Sequence, residues 1–131
     1  PTDRLLISAN INMDGREVRV MNTHLLAFFM HKTTSEEHHH QRDLVELELR
    51  KTELPTVLAG DFNVSKHETL IEQFGSAGYQ TAQSSEITWR RMPFVLDHVF
   101  YNSPLQCTKH QVCPTMASDH HALVVDFDLK D

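Results

Sequence analysis

Four short stretches carry side chains that a purely structural strand has little use for. They are Asn22-Thr23-His24-Leu25, Gly60-Asp61-Phe62-Asn63, Leu96-Asp97-His98-Val99 and Ser118-Asp119-His120-His121. Residues two apart on an extended chain point the same way. Asp61 and Asn63 are therefore expected to face one site, with Phe62 turned into the core. A carboxylate can hold a hard cation or orient a water, and an amide can hold a phosphoryl oxygen. That division suits attack on a phosphoester. Asp119-His120 adds a second carboxylate and a titratable imidazole. Asp97 is a third carboxylate, able to fix the imidazole tautomer. Asn22 falls on the same strand face as His24 and is a further candidate for a substrate contact. Carboxylates gathered in this way repel one another unless a divalent cation is present.

Each stretch alone has a plain alternative. Asp61 and Asn63 fit an ordinary turn after a strand. His24 alone reads as a surface histidine, Asp97 as a strand-edge charge and Asp119 as a turn residue. Their order and their shared position at strand ends favour a common site. Alternation points His98 and His121 away from it. His67 reads as a solvated helix residue.

The elements that must position these groups are legible from periodicity. Leu5, Ile7, Ala9 and Ile11 alternate with Leu6, Ser8, Asn10 and Asn12, a strand of period two. Asp14-Gly15 is a hairpin signal. A second strand runs from about Glu17 to Thr23, with Val18 and Val20 on one face. Thr34-Ser35-Glu36-Glu37 reads as a capping box that opens a helix reaching about Thr52. Leu44, Val45 and Leu47 are its expected buried stripe, with Gln41 and Glu48 at the margins. Glu46 and Arg50 sit four apart as a surface pair, and Pro55 blocks further helix. Thr56 to Gly60 is an apolar strand of the kind buried on both faces. Ser65-Lys66-His67-Glu68 is a second capping box, for a helix carrying Leu70, Ile71 and Phe74 and ended by Gly75. Strands are predicted at Ile87–Trp89, Val95–Tyr101, about Gln106–Val112 and Ala122–Leu129. The order β-β-α-β-α-β-β-β-β predicts an α/β (α+β) fold: a mixed, mostly antiparallel sheet with helices on one face. No repeat or linker divides residues 1–131, so one domain is expected.

Composition narrows the function classes. The chain has 131 residues and a formal charge of −6. Its longest basic run is Arg90-Arg91, which disfavours avid, sequence-independent binding to nucleic acid. No apolar run approaches the ~20 residues that cross a bilayer. The first residues lack a basic-then-apolar leader pattern, so a cytoplasmic location is expected. Cys107 and Cys113 fit no zinc motif and read as free thiols, with a disulfide across a turn as the alternative. His38-His39-His40 reads as a solvated helix start rather than a chelating surface. Phe28-Phe29-Met30 reads as core packing rather than a substrate lip or a membrane-touching patch.

Taken in order, the four stretches resemble the later motifs of the endonuclease/exonuclease/phosphatase superfamily, the group sharing the pancreatic-deoxyribonuclease fold. The likeness runs from the first hairpin to the last strand. It implies hydrolysis of a phosphoester by in-line attack of water, assisted by Mg²⁺ or Mn²⁺. In that scheme Asp61 orients or deprotonates the water and Asn63 holds a phosphate oxygen. Asp119 is a metal ligand, with Asp61. His120 binds the scissile phosphate or acts as base, oriented by Asp97. His24 hydrogen-bonds the phosphate or protonates the leaving group. Arg91 is a candidate for a substrate phosphate. Nucleic acid, lipid and small-molecule phosphoesters all remain open as substrates.

The departures matter too. Members of that superfamily are four-layer α/β/β/α sandwiches of two similar halves. Their first half brings an asparagine and a metal-binding glutamate that nothing here matches. The chain is therefore expected to correspond to the C-terminal half. It would be completed either by an N-terminal half or by a homodimer through an apolar sheet face. The alternative is a catalytically incomplete half-domain that serves as a folded or association module. Abasic-site nucleases of the family carry a longer segment between the tryptophan and the aspartate than Arg90 to Leu96 here, which weakens a DNA-repair reading.

Overall fold

The computed structural model describes residues 6–27 and 35–131. The expected strand residue Leu5, the Thr34 end of the first capping box and the Phe28-Phe29-Met30 cluster lie outside the described residues. The elements in chain order are β1 (Leu6–Met13), β2 (Arg16–His24), α1 (Ser35–Leu49), β3 (Thr56–Asp61), α2 (His67–Ser76), β4 (Tyr79–Thr81), β5 (Asp97–Asn102), β6 (Leu105–Cys113) and β7 (Ala122–Leu129). The fold is α/β, as the sequence pattern predicts. No helix of the described residues is long and apolar enough to cross a membrane.

The first hairpin turns as Asp14-Gly15 demands. Both residues take positive φ, 51° and 84°, which is what a two-residue loop matched to strand twist requires. Asn12 Oδ1 accepts the Gly15 N–H at 2.9 Å. β2 runs parallel to β3, with His24 level with Asp61. β3 runs antiparallel to β5, with Asp61 level with Asp97. The five-stranded sheet therefore has the order β1-β2-β3-β5-β4, and three of the candidate side chains stand side by side at one end.

The core forms on one face of this sheet. Met21, Leu58, Phe62 and Phe100 meet Val45 and Leu49 of α1 and Leu70 and Phe74 of α2. The Phe62 and Phe100 rings meet edge to face at 5.3 Å, and Phe74 and Phe100 at 5.0 Å, which is preferred aromatic geometry. Phe62 thus turns inward, as alternation requires. Glu46 and Arg50 pair at 2.8 Å.

Several details differ from the sequence expectation. The strands form two sheets, because β6 and β7 pair only with each other. Tyr101 and Phe127 bring that ribbon against the five-stranded sheet, with ring centroids 5.0 Å apart. β3 is buried chiefly on its Thr56 and Leu58 face, while Val57 and Ala59 are half-buried. The buried stripe of α1 is His38, Arg42, Val45 and Leu49, spaced four, three and four as a helical face requires. Leu44 and Leu47 lie off it and are about half exposed (50% and 53%). Two polar residues occupy the stripe, so counting apolar residues picks the wrong face. α2 begins at His67 with Lys66 at its N-cap and no side-chain cap, so Ser65 does not cap it. It runs past Gly75 to Ser76, and the left-handed residue beyond it is Gly78, at φ 88°. The strand after α2 is Tyr79–Thr81. Around residues 87–89 only isolated bridges form, Trp89 to Phe94 and Trp89 to His120.

His38 is buried rather than solvated, its Nε2 3.1 Å from the Phe62 carbonyl oxygen. Burial, together with the charges of Arg42 and His39, holds its pKa below the ordinary value, against that hydrogen bond. His98 is 1% exposed. Its pKa is pushed down to about 4, chiefly by burial and secondarily by His67, against a hydrogen bond with the Val95 carbonyl. An unfolded chain protonates this histidine below about 6.5, and the folded chain does not do so until about 4. The unfolded state therefore binds more protons between those values. Stability is present above about pH 6.5 and is lost as pH falls toward 4. Urea unfolding at pH 5 should give a free energy roughly 2 kcal/mol below that at pH 7. His98→Gln, which cannot titrate, should flatten the slope. An unchanged slope in the variant would contradict this assignment.

Candidate active site

Asp61 is the centre of a small cluster. Its Oδ2 lies 3.4 Å from His24 Nε2 and 3.6 Å from His120 Nε2. Its Oδ1 accepts the Asn63 N–H at 2.9 Å. His120 Nδ1 donates to Asp97 Oδ2 at 2.7 Å. The cluster is therefore a line of alternating carboxylates and imidazoles: Asp97, His120, Asp61, His24. Strand register sets three of these positions, because the ends of β2, β3 and β5 are level. The cleft here has a volume of about 450 Å³, and its lining includes Asn22, His24, Ala59, Asp61, Asp97 and Leu123.

His120 comes from the loop before β7 and has to be held in place. Trp89 forms a bridge with it, and His121 N–H donates to the Thr88 carbonyl at 2.7 Å. Thr88 Oγ1, fully buried, accepts N–H bonds from Leu96 and Asp97, both at 3.0 Å. Thr88 therefore fixes both the start of β5 and the loop that carries His120. Sequence reasoning missed this role, since a lone threonine in a loop gives no periodic signal. Burial pulls the His120 pKa down, but the hydrogen bond and charge of Asp97 and the charges of Asp61 and Asp119 raise it above its ordinary value.

Asn63 departs from the alternation argument. Extended backbone stops at Asp61, and Asn63 has φ 51°. It is buried, and its Nδ2 donates to the Leu25 carbonyl at 2.8 Å. Asparagine is one of the few non-glycine residues that tolerate this backbone. Asn63 so braces Asp61 from behind and ties β3 to the end of β2.

Asp119 turns to one side. Its Oδ2 accepts Trp89 Nε1–H at 3.3 Å and pairs with Arg91 Nε at 3.1 Å. The Trp89 hydrogen bond, aided by Arg91, holds its pKa below the carboxylate norm. Arg91 remains 67% exposed on its side chain. Among the described residues, the group whose ligand atoms lie within 4.8 Å of one another is Asp61, Asp97 and His120. Asp119 is not in it. Asn22 lines the cleft on the same strand face as His24. His98 turns to the opposite, buried face. His121 receives the Thr115 N–H on Nδ1 at 3.2 Å.

Fold and cluster together define an α/β protein with an acid–imidazole centre at the strand ends of a mixed sheet. Residues 8–120 match the model of the Endonuclease/Exonuclease/phosphatase family, and the chain belongs to that family, a superfamily of phosphoester hydrolases and nucleases. It is similar to a UPF0294 protein of Vibrio cholerae, at 36% identity over 125 residues, covering 88% of this chain. The chain spans 42% of that relative's length. It also resembles the endonuclease/exonuclease/phosphatase from Bacteroides vulgatus (17% identity, TM-score 0.81, 97% of this chain and 56% of that one). The catalytic domain of human Nocturnin with bound sulfate is similar at 21% identity and TM-score 0.72, over 98% of this chain and 54% of that one. At these identities the two structures speak to the fold.

Proposed function

We propose that this chain carries the acid–base centre of a phosphoester hydrolase, of phosphodiesterase, phosphatase or nuclease type, that works by in-line attack of an activated water. The observation that carries the reading is Asp61 Oδ2 standing between two imidazoles while Asp97 grips the far side of one of them. The hydrogen bond of His120 to Asp97, with its raised pKa, favours one of two roles. An imidazolium that keeps its proton is a poor base and a good partner for a phosphoryl oxygen. His120 therefore holds the scissile phosphate, and Asp97 positions it. Asp61 is left to orient the water and take its proton. His24, more exposed, faces the leaving group and supplies a proton or hydrogen bond to it. Asn22, in the cleft lining, and Arg91, once released from Asp119, would meet outlying oxygens of the substrate. Asn63 acts on this cluster through its brace on Asp61.

The donors fit a divalent cation. Asp61 and Asp97 supply the carboxylate oxygens that Mg²⁺ and Mn²⁺ prefer. Asp61 would hold the ion, and Asp119, the other ligand that the family pattern implies, would have to leave Arg91 to join it. When bound, such an ion polarises a phosphoryl oxygen and lowers the pKa of water. Mn²⁺ titration followed by paramagnetic broadening of NMR signals should centre the loss on Asp61, Asp97 and His120, and extend to Asp119. Asp61→Asn should remove it. Broadening centred instead on His39 and His40 would contradict the assignment.

A second reading rests on the sheet face opposite the core, where Ile7, Ile11 and Val20 are 62%, 45% and 36% exposed. That apolar face and the 42% coverage of the Vibrio relative fit a half-domain that needs a covering partner, either an N-terminal half or a second copy. In that case this chain is inactive until it is covered. Cys107 and Cys113 are unpaired, which fits a reducing, cytoplasmic setting.

A further inference from the structure

A second cavity lies between the first half of α1 and the first turn of α2, with a volume of about 400 Å³. Its lining includes His38, His39, Arg42, Val64 and Lys66, and no acidic side chain among the described residues. In a chain of formal charge −6, that is a local excess of positive charge.

Arg42 is 4% exposed. Its Nε donates to Gln73 Oε1 at 2.9 Å. The Gln73 amide nitrogen is itself bound to Asp43 Oδ1 at 2.9 Å and Glu46 Oε1 at 3.0 Å, which fixes its oxygen toward Arg42 and keeps both acids turned to Gln73. Among the described residues, neither Nη of Arg42 has a hydrogen-bond partner or a carboxylate in ion-pair range. A guanidinium offers five donors, and burying a cation with most of them unmet is costly.

The start of α2 is independent of Arg42. The helix has ten residues, Lys66 at the N-cap and no side chain capping the first turn. The Lys66 carbonyl is used by Thr69, whose N–H and hydroxyl both reach it, at 3.1 and 2.9 Å. The N–H groups of His67 and Glu68 are left at the positive end of the helix, an arrangement that favours anions. Glu68, the acid nearest this end, is 76% exposed and faces His67 Nε2 at 3.7 Å.

We propose that this cavity binds a phosphate-type oxyanion, gripped by the Arg42 Nη groups and the Lys66 ammonium, with Thr69 of the first turn of α2 on its rim. Its volume exceeds that of a single ion and falls in the range of small-molecule pockets. The ligand class is therefore the phosphomonoester of a small organic group, whose carbon part rests on Val64. Inorganic phosphate shares the recognised chemistry. The site does not depend on the catalytic reading, since Arg42 and Lys66 stand outside the Asp61 cluster.

NMR titration of the chain with inorganic phosphate, and separately with glycerol 3-phosphate, tests this in the presence of a chelator. The amides of residues 66–69 and the Arg42 side chain should shift and saturate below about 10 mM. Tighter binding of the monoester identifies an organophosphate, and equal binding identifies the free ion; both support the site. Lys66→Ala should weaken binding about threefold, and Arg42→Met should weaken it tenfold or more, on the order of one charged hydrogen bond. If Arg42→Met does not fold, Lys66→Glu, a surface change, should reduce binding further than Lys66→Ala. Asp61→Asn should leave binding unchanged. Absence of saturable shifts at residues 66–69, or shifts confined to His24, Arg91 and His120, would overturn the proposal.

Discussion

Asp61→Asn should lower phosphoester hydrolysis by about a thousandfold, in kcat rather than KM, while the protein stays folded. Asn63 N–H donates to one oxygen of Asp61, and His24 and His120 face the other. An asparagine carbonyl can keep the backbone bond, so the brace survives and the strand end holds its shape. What disappears is the negative charge between two imidazoles. The variant has no group at that point to take a proton from water, and it loses a carboxylate that a cation would use. It also removes one of the charges that raise the His120 pKa, so the alkaline limb of any pH–rate profile, where His120 loses its proton, should move to lower pH. A thermal melt within a few degrees of the parent would show that the loss is chemical. Activity above about a tenth of the parent's would mean that Asp61 is not the base.

Gly60→Ala should be the most damaging single-methyl change in the sheet. A Cβ at that position would lie 1.9 Å from the Thr23 carbonyl oxygen and 2.9 Å from its carbon. Both are backbone atoms of the neighbouring strand, level with Gly60 in the parallel pairing. No rotamer change relieves the contact. β2 and β3 must separate, and they do so one residue before His24 and Asp61. Overpacking of this kind costs about 3 kcal/mol or more when rigid backbone must move. For a chain of this size that is a fall in melting temperature of roughly 10 °C or more. The surviving folded fraction should also be catalytically poor, because the His24–Asp61 spacing depends on that strand contact. A Gly60→Ala protein with the parent's melting temperature would show that the two strands are less closely held than the geometry requires.

The parts of the site carried by strand register were legible in the sequence. Asp14-Gly15 fixed the hairpin through its backbone preference, and the alternation of β7 followed from period two. The end of β3 and the start of β5 were visible as an aspartate after an apolar run. Reading failed where the backbone leaves regular geometry. Alternation along an extended chain puts Asn63 on the same side as Asp61, and its left-handed φ breaks that alternation. In α1 the apolar pattern predicts Val45 but not the rest of its buried stripe, because His38 and Arg42 are polar and packing still selects their face. The sixth element was misplaced because Tyr79–Thr81 has three residues and no pattern of its own; β5 recruits it as an edge strand. The ion pair of Asp119 with Arg91 joins residues 28 positions apart, and no local pattern in the sequence signals it.

The pairing of Arg91 with Asp119 also bears on the chemistry. An arginine on an acid that a cation would use is a charge substitute that a bound ion or a substrate phosphate can displace.

The most direct measurement is hydrolysis of a chromogenic phosphodiester by the chain, with Mg²⁺, with Mn²⁺ and with chelator, beside Asp61→Ala and His120→Ala. Turnover should need the metal and be abolished by either substitution. A folded chain that shows no turnover under any of these conditions, alone or covered by an N-terminal half from a relative, would contradict this expectation.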